Sequence, residues 1–165
     1  MKKTATAIVA LVTAFNMQAQ SLSEAFKPTQ WASYIFVSTS MPRSSVMQLA
    51  KEAAMSRSTL VLRGFDKKNQ TMEGVQAYVN DINGNCCGKN PPSWVVHPKL
   101  YETFNVRIAP AFVLSKGQNP SQSDFALISG DMSLGNALKF FAQGSANPEI
   151  RTKASEIYTK TFAGH

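Results

Sequence analysis

Two adjacent cysteines, Cys86 and Cys87, are the residues of this sequence best suited to redox chemistry. They lie among Asn, Gly and Pro residues and lack the C-x-x-C spacing that places a reactive thiolate at the start of a helix. Three states are open to them: a disulfide between the two neighbours, a disulfide to another chain, or two free thiols. None of these three states matches the pattern of a catalytic cysteine pair. We therefore keep thiol–disulfide exchange as the less favoured of the functions considered.

Metal and hydrolytic chemistry have little support from residue spacing. The two histidines are His97, which precedes Pro98, and His165 at the C-terminus. Together with an adjacent pair of cysteines they do not make a metal site of familiar spacing. The motifs G-x-S-x-G, H-E-x-x-H and the P-loop do not occur. We therefore predict no catalytic residue, no metal and no cofactor.

The N-terminus has the three parts of a secretory signal peptide. Lys2 and Lys3 are followed by an uncharged apolar run over residues 5–15, and Ala19 is a small residue suited to cleavage. The run is shorter than the roughly 20 residues that span a bilayer. We expect a signal peptide over 1–19, in preference to a membrane anchor or a buried first helix, and no integral membrane segment after cleavage.

The charge of the chain is positive but dispersed. The formal net charge is +7, of which Lys2 and Lys3 contribute two charges that leave with the signal peptide. Only one other pair of basic residues is adjacent, Lys67 and Lys68. A protein that binds nucleic acid would concentrate its charge on one face or arm. The pattern predicts a solvated, mildly basic surface with no direct nucleic-acid partner.

Hydrophobic periodicity predicts alternating strands and helices after a lead-in segment at 20–33. Continuous apolar runs predict strands at 34–38, 59–63, 94–96, 111–114 and 125–129. Helical spacing predicts helices at 42–55 and from residue 72 to 82, a short helix at 98–104, one from Ser133 to Phe141, and one at 148–162. Residues 83–93 read as a loop. These elements divide into a domain at 34–143 and a C-terminal helical tail at 144–165.

Several polar residues lie where strands and helices meet. Gly64 ends the second strand, and Ser133 is suited to cap the last core helix. Asp131 precedes that helix, where a capping role is favoured over a buried polar one. Arg63 can either pair with an acid such as Asp131 or point into solvent.

The order of the elements predicts an α/β fold of thioredoxin-like layout. Alternation implies parallel strands with helices on both faces, and the last two strands form an antiparallel hairpin followed by a helix. A proline just before a terminal hairpin strand is where thioredoxin-like folds carry a cis proline. The Ala109–Pro110 bond suits that role, because the cis penalty of an X-Pro bond is small. The alternative is a trans proline that starts an edge strand.

Three blocks of sequence together resemble the TrbC family of type-F conjugative transfer systems, the pilin or pilus assembly proteins. They are YIFVSTSMP with TLVLRG, then HPKLYETFNVRIAPAFVL, then ISGDMSLGNAL. The resemblance covers roughly residues 34–141. It implies a periplasmic protein that helps to build the conjugative pilus and its type IV secretion apparatus. It also implies a TraW-like partner, and a pilin subunit is a further candidate.

The position of the C-x-x-C motif in thioredoxin-like enzymes is occupied here by Ser40-Met41-Pro42-Arg43. A serine hydroxyl cannot exchange disulfides, so we predict a non-catalytic protein that uses this loop for docking. Its predicted partner-binding residues are Met41, Pro42, Arg43, Ile108 and Pro110, with Arg43 and Arg107 expected as a charged rim around an apolar centre. The alternative is that Ser40, Met41 and Pro42 only cap and start the helix.

Overall fold

The computed structural model describes residues 30–64, 71–117 and 120–164. The predicted signal peptide and most of the lead-in segment lie outside these residues. Within these residues the strands are β1 (Trp31–Val37), β2 (Thr59–Leu62), β3 (Ser93–Val96), β4 (Ala111–Lys116) and β5 (Phe125–Ser129). The helices of the described part are α1 (Arg43–Ser56), α2 (Met72–Cys86), α3 (Pro98–Thr103), α4 (Leu134–Gly144) and α5 (Pro148–Phe162), with a 3₁₀ turn at Gln122–Asp124.

The strands form one mixed sheet in the order β3-β2-β1-β4-β5. β1 is parallel to β2, and β2 is parallel to β3. β4 is antiparallel to both β1 and β5. The α/β class, with a mixed sheet, a terminal hairpin and a final helix, is confirmed. The more specific thioredoxin-like relationship stays a prediction.

The two faces of the sheet are covered unequally. One face carries the larger core, in which apolar residues of β1, β2 and β4 meet α1, α2, α4 and α5. The other face is covered mainly by α3 and the segment after it, where Tyr101, Phe104 and Val106 pack on Phe36 and Val113. Aromatic edge contacts stabilise this smaller core, with the ring centroids of Phe36 and Tyr101 only 4.7 Å apart.

The start of β1 and the end of α2 differ from the predictions. β1 begins at Trp31 and not at Tyr34, because residues 31–33 pair with Lys116, Ser115 and Leu114 of β4. α2 continues to Cys86, so the loop predicted at 83–93 is wrong over its first four residues. Side-chain bonds support this extra turn: Asn85 Nδ2 donates to the carbonyl of Asp81 (2.8 Å), and Trp94 Nε1 donates to Asn83 Oδ1 (2.9 Å).

The segment predicted as a C-terminal tail contains a helix that belongs to the main core. Pro148 starts α5, and Asn147 caps it by accepting a hydrogen bond from the N–H of Glu149 (2.9 Å). Ile150 and Ala154 are fully buried against the larger core. α5 is therefore an integral layer of the folded domain.

Candidate partner-binding site

A cavity of about 450 Å³ lies at the carboxyl ends of β1 and β2. Three segments line it, residues 37–41, 62–64 and 107–109, together with the side chain of Tyr101. The topology explains why they meet. Parallel β1 and β2 end at the same edge of the sheet, where Val37 pairs with Leu62. β4 is antiparallel and begins opposite Phe36, so the residues that precede it arrive at this edge too. The Ala109–Pro110 peptide bond in that segment is cis.

The loop between β1 and α1 is held by its own hydrogen bonds. Ser38 N–H donates to the sulfur of Met41 (3.4 Å), and Met41 N–H donates to the carbonyl of Ser38 (3.1 Å). The hydroxyls of Ser38 and Ser40 are 2.7 Å apart. These bonds fold the half-buried Met41 side chain back over the end of β1. The apolar group at the cavity is thus fixed in place before any partner arrives.

Tyr101 lines the cavity and joins the two strands that end there through its hydroxyl. Its hydroxyl lies 2.9 Å from the carbonyl of Val37 and 3.1 Å from the carbonyl of Val61, and it is buried between them. Burial raises the pKa of Tyr101 to about 12, although the positive charge of Arg63 acts in the opposite direction. Sequence reasoning did not identify Tyr101. The available signal was a tyrosine at an apolar helix position, since a buried hydroxyl requires a partner.

Arg63 lies over the ring of Tyr101, with 5.3 Å between its guanidinium carbon and the ring centroid. The ion pair between Arg63 and Asp131 that we considered does not form. Asp131 is exposed and lines a different surface cavity, beside Ser44 and Ser133. The cap of α4 is Ser133, whose hydroxyl accepts a hydrogen bond from Asn136 N–H (3.1 Å).

The five predicted partner-binding residues separate into two groups. Met41 and Ile108 line the cavity, and Ile108 is 67% exposed. Pro42 is exposed at the N-cap position of α1, outside the cavity lining. Pro110 is buried, and its carbonyl accepts a hydrogen bond from Gly130 N–H (3.0 Å). Pro110 therefore shapes the loop but cannot present a surface to a partner.

Arg43, the fifth of these residues, is directed towards α2. Its guanidinium donates two hydrogen bonds to Asp81, at 2.7 and 2.9 Å. This bonding holds the pKa of the Asp81 carboxyl below its ordinary value. Arg63 and Arg107 line the cavity instead.

The cysteines lie away from this cavity. Cys86 and Cys87 are joined by a disulfide at the end of α2 and line a separate surface cavity with Lys51, Ala54 and Met55. Ala54 is roughly 16 Å along the axis of α1 from Arg43, at 1.5 Å per residue. The disulfide of Cys86 and Cys87 and the predicted docking loop therefore lie in two different places on the protein.

His97 caps α3, because its Nδ1 accepts a hydrogen bond from Leu100 N–H (3.3 Å). His165 lies outside the described residues. Within residues 30–64, 71–117 and 120–164, no group of three or more His, Cys, Asp or Glu side chains could hold a metal ion. Over the same residues, no helix combines the length and apolar character needed to cross a membrane.

Fold and site together define an α/β domain whose strand-end cavity combines arginines, hydroxyls and apolar side chains. The family of type-F conjugative transfer system pilin assembly proteins matches residues 35–141. The chain belongs to this family, and its role is in the assembly of the conjugative pilus together with other transfer proteins. Comparison with curated proteins and with solved structures finds no match. The family match ends within α4, so α5 lies beyond it.

Proposed function

We propose that this protein is a non-catalytic assembly factor that acts in the periplasm by binding other transfer proteins through the cavity at the ends of β1 and β2. A TraW-like protein is the expected partner, and a pilin subunit is the second candidate. The observation that carries the proposal is the exposed side chain of Ile108 beside the fixed side chain of Met41 at the cavity. Exposed apolar groups surrounded by polar ones are typical of a protein interface.

Two features support action in the periplasm. The first is the charged start and apolar run of residues 1–19, which have the pattern of a signal peptide. The second is the disulfide between Cys86 and Cys87, because disulfides persist in the oxidising compartments that exported proteins reach.

The residue types at the start of α1 support a non-catalytic role. Thiol–disulfide enzymes of similar layout need a thiolate at the start of this helix. Ser40, Met41, Pro42 and Arg43 offer no thiol there. The polar side chains around the cavity are donors and cations, which suit recognition.

Aspartate substitutions at the apolar part of the cavity test the proposal. Met41→Asp and Ile108→Asp each put a charge where an apolar contact is expected, and loss of an interface hot spot costs about 2 kcal/mol or more. Ile108 is mostly exposed, so Ile108→Asp keeps the fold even if Met41→Asp disturbs its loop. We expect both to lower conjugation frequency and recovery of transfer proteins in a pull-down from an envelope fraction.

The matched control is Met55→Asp, which makes the same change at a methionine that is 52% exposed near the far end of α1. Circular dichroism checks the folding of each variant. If the folded Ile108→Asp protein transfers DNA and recovers partners as the parent does, the cavity is not the interface.

A further inference from the structure

The charged side chains among the described residues that line the cavity are all positive. Arg63 follows β2, and Arg107 lies in the segment before β4, so the fold brings together two arginines that are far apart in the chain. No aspartate or glutamate is among the described residues that line the cavity. The lining adds the hydroxyls of Ser38, Thr39 and Ser40, which can donate hydrogen bonds. An anionic group would meet cations and donors there, with no described acid to repel it.

Elsewhere on the described surface, several basic side chains already have acidic partners. Arg43 is paired with Asp81, and Lys116 is paired with Glu149. Lys153 and Lys160 share Glu156, which lowers the pKa of that carboxyl to about 2. At the cavity, by contrast, two arginines lie together with no acid among the described lining residues.

Both arginines are held by contacts that leave donors for a ligand. Arg63 lies against the Tyr101 ring, and a guanidinium in a stacking contact keeps its edge donors. Arg107 donates through Nε to Asn105 Oδ1 (3.2 Å). Within the described residues, its two terminal nitrogens have no hydrogen-bond acceptor, and these nitrogens form the fork that binds carboxylates bidentately.

We propose that this cavity receives an acidic segment of a partner protein, with Asp or Glu side chains meeting Arg63 and Arg107 and a neighbouring apolar residue packing on Met41 and Ile108. This inference rests on the proposed function and names the chemistry of the partner. A protein segment fits better than a membrane or a nucleic acid, because the site is concave and combines charge with the apolar side chains of Met41 and Ile108. A flat anionic surface would need a broad basic face.

The test is a peptide array of overlapping short segments from the envelope-exposed proteins of the same transfer system, probed with the mature protein. We compare the parent with Arg63→Glu/Arg107→Glu and with the control Lys51→Glu/Lys89→Glu. The control makes the same charge change at two exposed lysines outside the cavity. We expect the bound peptides to be richer in Asp and Glu than the array as a whole. We also expect them to bind at least about tenfold more weakly to the arginine variant, since like charges repel across an interface.

Further binding measurements identify the chemical class of the ligand. Replacing Asp and Glu of a bound peptide by Asn and Gln should weaken binding at least about tenfold, as the arginine variant does, and added salt should weaken it too. Vesicles of phosphatidylglycerol and a single-stranded oligonucleotide serve as the other anions. The inference is overturned if either of these anions binds as tightly as the peptides or if no peptide binds. It is also overturned if the peptides bind the arginine variant as tightly as the parent.

Conjugation assays separate this inference from the proposed function. Loss of transfer with Ile108→Asp, alongside normal transfer with the folded arginine variant, would leave the cavity as the interface and reject an acidic partner. Normal transfer with both folded variants would reject the interface and the acidic partner together.

Discussion

The buried carboxylate of Glu52 accepts a hydrogen bond from the backbone N–H of Leu134, with 2.6 Å between Oε2 and N. Glu52 belongs to α1 and Leu134 is the first residue of α4, so the bond joins residues 82 positions apart. The other oxygen, Oε1, accepts a bond from Gln48 Nε2 (2.9 Å). A helix begins with four N–H groups that lack partners within the helix, and this contact satisfies one of them across the fold.

We expect Glu52→Ala to lower the free energy of unfolding by about 2 kcal/mol, because it leaves the buried N–H of Leu134 without an acceptor. Glu52→Gln keeps an acceptor oxygen and should cost less. Urea denaturation followed by circular dichroism measures both. Glu102→Ala, at an exposed glutamate of α3, is the control. If the free energy of unfolding of Glu52→Ala lies within about 0.5 kcal/mol of the parent's, the bond between Glu52 and the N–H of Leu134 is dispensable for stability.

Tyr101 should make the protein lose stability in alkaline solution. Its pKa is about 12 in the folded protein, against 10.0 for the unperturbed side chain. As the pH rises above 10, the unfolded chain gives up this proton before the folded protein does. The stabilisation from the buried neutral hydroxyl is therefore complete below pH 10 and lost progressively as the pH rises through 12. The loss should reach roughly 3 kcal/mol, at about 1.4 kcal/mol for each unit of pKa difference.

The comparison with Tyr101→Phe isolates this effect, because lysine titration is common to both proteins. At neutral pH the variant should be about 1 kcal/mol less stable, since it loses the bonds to the carbonyls of Val37 and Val61. Free energies of unfolding measured from about pH 8 to pH 12 should then converge and cross, because the parent loses more stability on ionisation of Tyr101 than its hydroxyl contributes at neutral pH. Parallel curves for the two proteins would contradict the role given to the buried hydroxyl.

We expect cells that carry the Cys86→Ser/Cys87→Ser variant to transfer DNA at the frequency of cells that carry the parent protein. The disulfide is remote from the cavity, and a bridge between neighbours closes so short a loop that it restricts the unfolded chain little. Mating assays with the variant expressed in place of the parent measure the frequency, and Ile108→Asp supplies the defective reference. A large loss of transfer by the folded cysteine variant would instead support thiol chemistry at this pair.

Local patterns were sufficient to predict the α/β class and most of the elements. Residues 34–37 of β1 and 60–62 of β2 form continuous apolar runs because both faces of a central strand are buried. The bounds of β5 and of α5 also agree with the predictions, since each follows a clear change of period or a starting proline.

Local patterns failed where a long-range partner decides the conformation. Gly84 and Asn85 have low helix propensity, yet α2 continues through them because Asp81 and Trp94 supply contacts to this turn. The lead-in segment is polar overall and is interrupted by Pro28, but pairing with β4 makes its last three residues, 31–33, part of a strand. The burial of α5 against the larger core also depends on packing with other elements, and the sequence of α5 alone does not specify that packing.

The composition of the cavity is the clearest case of a tertiary decision. The sequence placed two loops at one edge of the sheet, and it identified Met41 and Ile108. It predicted Arg43 and Arg107 beside them. Arg107 does line the cavity, but Arg63 and not Arg43 accompanies it, because a long flexible side chain goes where its neighbours provide a partner. Asp81 on α2 holds Arg43, and the ring of Tyr101 holds Arg63 at the cavity. Those neighbours are distant in the chain, so only the folded structure determines the charge of the site.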